Sequence, residues 1–254
     1  MQIDRCVKVR SDHPMIAGHF PGNPVVPGAV LLDEALLAIA VDVPGVRRVA
    51  FAKFPTVLRP GVPCTLRAVS RKDDSIGVTC GGRGKTYLSA VLECWARLKP
   101  PAFSRRTIPP MDPGISGGIE VARLLPHAGA AVLLDDVDGW STTAIACTSR
   151  LASRTTNPLS RDGVISAVCG VEYAAQTMAV HGALLAGGTP QPGLLVSIRD
   201  VELLSPLPVT PCNVVCIQAN MLRRDLRSAT YAFGVGSLDT ELVNGLASVM
   251  FSSP

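Results

Sequence analysis

The sequence predicts an α+β protein made twice over, each copy a curled antiparallel sheet wrapped around one central helix. Three observations predict it. A Pro/Gly-rich segment divides the chain, each half holds a single long apolar run followed by short strand-like runs, and the halves share a turn signal. The dividing segment, residues 99–118, reads KPPAFSRRTIPPMDPGISGG, with five Pro, three Gly and no periodicity. It is expected to act as a linker over residues 100–117. Domains over residues 1–99 and 118–254 then flank it, both of ordinary small-domain size.

In the first half a Gly/Pro loop, residues 18–28, leads into AVLLDEALLAIAV. That run is apolar on nearly every side, as a helix surrounded by sheet must be. Pro44 and Gly45 are expected to end it. The runs VRRVAFAKF, TLRAVS, SIGVTCGG and TYLSAVLECW read as strands. In the second half a turn at Arg161-Asp162-Gly163 precedes the helical run AVCGVEYAAQTMAVHGALL. LLVSIRDVELL, NVVCIQANML, SATYAFGVG and ELVNGLASVMF follow as strands. Leu58-x-Pro60 with Pro63-Cys64 is echoed by Leu204-x-Pro206 with Pro211-Cys212, the mark of an internal duplication.

Composition excludes several classes. Among 254 residues, 47% are apolar and 17% charged, too few charges for a disordered chain. So apolar a composition suggests that much of the surface is covered by a partner or a second copy. Aromatics make up 4%, too few to build base-stacking platforms, so no nucleic-acid partner is expected. The net charge of +4 suits an acidic partner without demanding one. Eight Cys include no Cys-x-x-Cys, and the one close pair, Cys212 and Cys216, has no His nearby, so no zinc site is expected. The first residues, Met-Gln-Ile-Asp-Arg-Cys, lack an apolar signal region, and the apolar run at residues 29–41 is too short and too charged to span a bilayer. These readings predict a cytoplasmic protein with free thiols. Gly81-Gly82-Arg83-Gly84-Lys85 lacks the spacing of a phosphate-binding loop and reads as a hairpin turn.

The segment His13-Pro14-Met15-Ile16-Ala17-Gly18-His19-Phe20-Pro21-Gly22-Asn23-Pro24-Val25-Val26-Pro27-Gly28, with Asp33 fourteen residues after His19, resembles the signature of the 3-hydroxyacyl-[acyl-carrier-protein] dehydratases. The resemblance implies the hotdog fold, here in tandem. Dehydratase-only members typically carry Glu where Asp33 stands, and the dehydratase/isomerase branch carries Asp. AKFPTVLRPGVPCTLRA extends the match, which covers nearly all of residues 1–98. In the second half, IEVARLLPHAGAAVLLDDV and GVEYAAQ resemble the same superfamily, with Glu172 at the position of the acid and Gln176 four residues on. The His motif is absent there, and Asn157-Pro158-Leu159 stands in its place. This half is similar to dehydratase-like proteins of aryl-polyene pigment clusters.

Dehydration of a 3-hydroxyacyl thioester needs a base for the C2 proton, stabilisation of the developing enolate oxygen, and a group to hold the leaving hydroxyl. Imidazole suits the first task at neutral pH. Backbone N–H groups around Gly28, at a helix N-terminus, suit the second. A carboxylic group suits the third. In the resembled family the His and the acid of one site come from different protomers. On a fused pair this implies that His19 meets Glu172 in one complete site, while Asp33 meets the His-less loop around Asn157 in a defective one. His19, Glu172 and Asp33 are thus the catalytic candidates. Gln176 is expected to orient the acid or the loop and, with Phe20 and Val26, to flank the substrate. His13, His127 and His181 are expected to be structural or exposed. No cofactor or metal is expected. The implied partner is an acidic acyl carrier protein bearing a phosphopantetheine-linked chain, and Arg47, Arg48, Lys53, Arg105, Arg106, Arg223 and Arg224 are candidates for a basic rim. The internal pseudo-dimer could assemble further into a homo-oligomer. A hotdog acyl thioesterase and a non-catalytic, carrier-binding partner subunit are the alternative functions.

Overall fold

The structure, a computed structural model, describes residues 1–94, 120–151, 157–209, 214–237 and 241–251. The segment expected to be a linker, Arg105, Arg106, Pro211 and Cys212 lie outside the described residues.

In the first half, β1 (Gln2–Val7) precedes a long loop and helix α1 (Gly28–Ile39), and β2 (Val46–Lys53), β3 (Cys64–Ser70), β4 (Ile76–Gly82) and β5 (Lys85–Cys94) follow. The second half opens with a short helix α2 (Val121–Leu124), then β6 (Asp136–Trp140) and β7 (Ala144–Arg150). Two-residue strands β8 (Ser160–Arg161) and β9 (Val164–Ile165) lead to α3 (Gly170–Leu185). After it come β10 (Gly193–Leu203), the two-residue β11 (Leu207–Pro208), β12 (Val214–Arg224), β13 (Ser228–Gly236) and β14 (Glu241–Phe251).

Each half is a hotdog. Helix α1 buries Val30, Leu31, Leu32, Ala35 and Ile39 on several sides at once, which is why its sequence shows little amphipathic contrast. The strands alternate instead: β13 buries every second residue, with Tyr231, Phe233 and Val235 facing the core. Both turns read from sequence have left-handed central residues. Arg83 and Gly84 join β4 to β5, and Asp162 and Gly163 join β8 to β9. Two positive φ values in a two-residue loop match the right-handed strand twist.

The two sheets are one. Eleven strands run in the order β1-β3-β4-β5-β2-β10-β14-β13-β12-β7-β6, antiparallel throughout. Apart from β6, which adds a sixth strand at the far edge of the second half, the order mirrors about the β2/β10 seam, where Ile198 faces Ala52 and Val201 faces Val49. Arg48 fastens the seam by pairing with Glu93 of its own half at 2.8 Å and with Asp200 of the other. Arg47 donates to the Leu204 carbonyl across it at 2.9 Å. Two of the seven expected rim cations are thus occupied as fasteners.

Besides the two-residue β8, β9 and β11, three strands escaped the sequence reading. β1 is an edge strand burying only Ile3 and Val7, β6 (DVDGW) has no apolar run, and β7 (AIACTSR) is made mostly of small residues. Among the described residues, no helix is long and apolar enough to cross a membrane.

A second contact joins the halves near the start of α1. His19 forms an antiparallel bridge with His127, and the Ala128 amide donates to the Gly18 carbonyl at 2.9 Å. The backbones approach so closely that a Cβ on Gly18 would lie 1.8 Å from the Ala128 carbonyl oxygen. Backbone cannot swing aside as a flexible side chain can. Gly18→Ala is therefore expected to destabilise the fold by about 2 kcal/mol, the order of an overpacked core site. Chemical denaturation would measure the loss.

Candidate active site

The GHFPG loop is held in an unusual backbone state. Phe20 has φ of 61°, a left-handed conformation that a bulky side chain adopts only when its surroundings impose it. That turn brings the Phe20 ring edge-on to His19, with centroids 4.6 Å apart. His19 Nδ1 lies 2.9 Å from the Val25 carbonyl oxygen, which can only accept, so the proton sits on Nδ1 and the Nε2 lone pair faces the site.

Opposite stands Glu172, three residues into α3 and 4% exposed, with Oε1 4.0 Å from His19 Nε2. Gln176, one turn later and wholly buried, donates to the Ala131 carbonyl at 2.8 Å and accepts from the Leu133 amide at 2.9 Å. Its amide nitrogen also lies 3.4 Å from Glu172 Oε1. Gln176 thus braces the carboxylate from behind.

His19, Phe20, Val26, Gly28 and Glu172 line one cavity of about 560 Å³. It runs along the face of α3 that carries Ala175 and Ala179, one turn apart, whose small side chains leave the channel open. Leu31, Tyr87, Leu195 and Val249 form apolar walls. The first amides of α1 begin at Gly28 and have no acceptors within the helix. A Cβ there would press on the Phe54 ring at 3.2 Å.

Asp33 does not join this group. It lines a separate concavity of about 420 Å³ with Ser166, Ala167 and Arg47. Its carboxylate accepts from the Ser166 hydroxyl at 2.6 Å and pairs with Arg161 at 3.1 Å. The same guanidinium reaches Glu34 at 2.8 Å. Position accounts for the correspondence of the two acids: each is six residues past the residue capping its helical segment, Asp33 after Pro27 and Glu172 after Ser166. Asn157, expected beside Asp33, turns elsewhere. Its amide donates to the Tyr173 hydroxyl at 2.7 Å, and its carbonyl accepts from the Leu159 amide at 3.0 Å. An arginine, not the asparagine, meets the acid.

The structure corrects the expectation for His127. Its Nε2 lies 3.7 Å from Glu172 Oε1, and its ring centroid lies 5.1 Å from that of His19. Burial, and secondarily the neighbouring His19, push its pKa down to about 3, so it is neutral in ordinary conditions. Neither ring nitrogen makes a hydrogen bond among the described residues. The sequence did mark the position, since His127 falls in LLPHAGAAVLLDDV, a stretch that carries the second half's resemblance, but nothing in it shows that the fold apposes His127 to His19. His181 is structural, donating from Nε2 to the Ser141 carbonyl at 2.8 Å and accepting from the Tyr231 hydroxyl at 3.1 Å. His13 is half-buried and accepts from the Met15 amide. Of the remaining rim candidates, Lys53 lines the cavity, whereas Arg223 pairs with Asp225.

Comparison with known proteins agrees with this architecture. The family model described as ApeP dehydratase matches residues 119–251, just over half of the chain, and that described as ApeI dehydratase matches residues 2–88. The 3-hydroxyacyl-[acyl-carrier-protein] dehydratase FabZ of Chloroflexus aggregans is 31% identical over 101 residues, covering 35% of this chain and 68% of that protein. Among solved structures, the dehydratase domain of a mycocerosic acid synthase-like polyketide synthase superposes with a TM-score of 0.72 at 15% identity, over 100% of this chain and 92% of that one. A hotdog-fold protein of Alicyclobacillus acidocaldarius superposes with a TM-score of 0.60 at 15% identity, over 100% and 94%. With an ApeI-like first half and an ApeP-like model matching just over half of its length, the chain belongs to the ApeP-like dehydratase family, as a tandem hotdog.

Proposed function

We infer that this dehydratase removes water from a 3-hydroxyacyl chain carried as a thioester on acyl carrier protein, giving the trans-2-enoyl thioester, at one composite site per chain. The observation that carries the reading is the 4.0 Å approach of His19 Nε2 to Glu172 Oε1, across the two halves and in the lining of one largely apolar cavity.

His19 Nε2 takes the C2 proton, its tautomer held by the Val25 carbonyl. Charge developing on the thioester oxygen is met by the open amides at the start of α1. The electron pair of the C2–H bond becomes the C2=C3 bond, the C3–O bond breaks, and the hydroxyl leaves as water with a proton from Glu172. His19 then returns the C2 proton to Glu172, closing the cycle with no cofactor consumed. The aryl-polyene and fatty-acid relatives favour a fatty-acid or polyene product, with a cytoplasmic setting in keeping with a carrier-borne substrate.

Glu172 rather than Asp33 is taken as the acid, because Asp33 is engaged by Arg161 and Ser166 and lies outside the cavity that holds His19. Glu172→Gln is expected to lower enoyl-thioester formation by at least about 100-fold, within the range of general acid–base contributions. Asp33→Asn is expected to leave the rate of folded protein within about threefold, and stopped-flow absorbance of the enoyl thioester would separate the two. The reverse pattern would move the acid to Asp33 and the working pair to different chains.

Two further expectations come from the cavity. Ala179→Phe should block the channel beyond Ala175, lowering kcat/KM on long acyl chains by about tenfold or more while sparing short ones. A chain-length series of substrates would read this directly. Exposed Lys53, which lines the cavity, and exposed Arg199 both approach the Phe51 ring, their cations 5.2 Å and 5.4 Å from its centroid. Reversing both to Glu is expected to raise KM for the carrier-linked substrate by about tenfold, leaving a neutral N-acetylcysteamine thioester unaffected.

A further inference from the structure

His127 has no task in the proposed elimination, which needs one base and one acid. Yet its side chain is only 6% exposed and both ring nitrogens lack hydrogen-bond partners among the described residues. Buried polar atoms left unpaired are rare and ask for an explanation. Nε2 of His127 lies 3.7 Å from Glu172 Oε1, and His19 Nε2 lies 4.0 Å from the same oxygen. One donor atom from each residue fits within 4.8 Å of the others.

We propose that His19, His127 and Glu172 form a three-ligand site for a zinc ion, which binds reversibly and shuts the dehydratase by occupying its base and acid. Two imidazoles and one carboxylate suit zinc and its neighbours in the first transition row better than magnesium or calcium, which prefer all-oxygen shells. His19 has the support typical of a metal ligand, with its second nitrogen bound to a backbone carbonyl. Donors on a tetrahedron with zinc arms of about 2.0–2.1 Å lie about 3.3 Å apart, so closure asks for shifts of roughly 1 Å. His127 gives up no hydrogen bond in making that shift. Water from the cavity would complete the shell.

The metal site rests on the three donors alone, while the inhibition rests on the dehydratase reading, so two measurements keep them apart. Full-length protein, stripped with chelator and dialysed, is titrated calorimetrically with zinc chloride. One ion per chain is expected, with affinity falling at least about tenfold in His127→Ala and in Glu172→Gln, each shown to be folded by circular dichroism. Cobalt(II) added in place of zinc should give visible ligand-field bands without a thiolate charge-transfer band. Absence of binding at one per chain, unchanged affinity in both variants, or a thiolate band would overturn the site. In the second measurement, zinc should raise the apparent KM for the 3-hydroxyacyl substrate with kcat unchanged. Turnover that continues undiminished with zinc bound would overturn the inhibition. A metal-free chain that binds zinc as expected but never turns over would overturn the dehydratase reading and leave the metal site standing.

Discussion

The antiparallel pairing of β2 with β10 is the constraint on which the rest of the molecule depends. It turns two curled sheets into one and relates them by a near two-fold axis. Only in that relation does the loop of one half reach the helix start of the other. A backbone ladder alone sets no unique register, and a slip by one residue would turn every side chain of the strand to the wrong face. Val49, Ala52, Ile198 and Val201, all fully buried, oppose such a slip from the core side, and Arg48 opposes it from the edge by gripping carboxylates of both halves. The bridge between His19 and His127 then fixes the distance between halves at the cavity itself.

Within this near-symmetric frame, equivalent positions have diverged in charge. Two buried carboxyl groups occupy corresponding places, and a buried carboxyl group needs polar neighbours. Asp33 finds them in a guanidinium and a hydroxyl, which hold it fast. Among the described residues, Glu172 finds an amide at 3.4 Å and two imidazoles at 3.7 and 4.0 Å, contacts long enough to leave it available. The difference between a carboxyl held fast and one left available lies in those neighbours, since the group is the same in both.

Sequence patterns disclosed much of this. The two helices were legible because runs such as AVLLDEALLAI have too many apolar residues for any exposed face, and β13 because its burial alternates without a break. The GHFPG loop announced His19, and GVEYAAQ announced Glu172 and Gln176, through resemblance. What stayed hidden depends on apposition of distant segments. β1 hides because an edge strand needs just two buried residues, and the continuity of the sheet hides because backbone pairing leaves no code in side chains. Arg161 read only as the start of a turn, although it reaches across to Asp33 and Glu34 in the other half. His127 hid for the same reason: its meaning comes from His19, more than a hundred positions earlier.

The clamp of Arg161 on Asp33 and Glu34 has a consequence for how such a chain can change over generations. Arg161 of the second half holds two carboxylates of the first, so Asp33 and Glu34 are part of what joins the halves. A histidine placed in the Asn157 loop would find the Asp33 carboxylate already engaged. Losing Arg161 first would strip the buried Asp33 of its cation, whereas losing Asp33 would leave an arginine that water still reaches, so substitutions on the two sides of the clamp carry unequal costs.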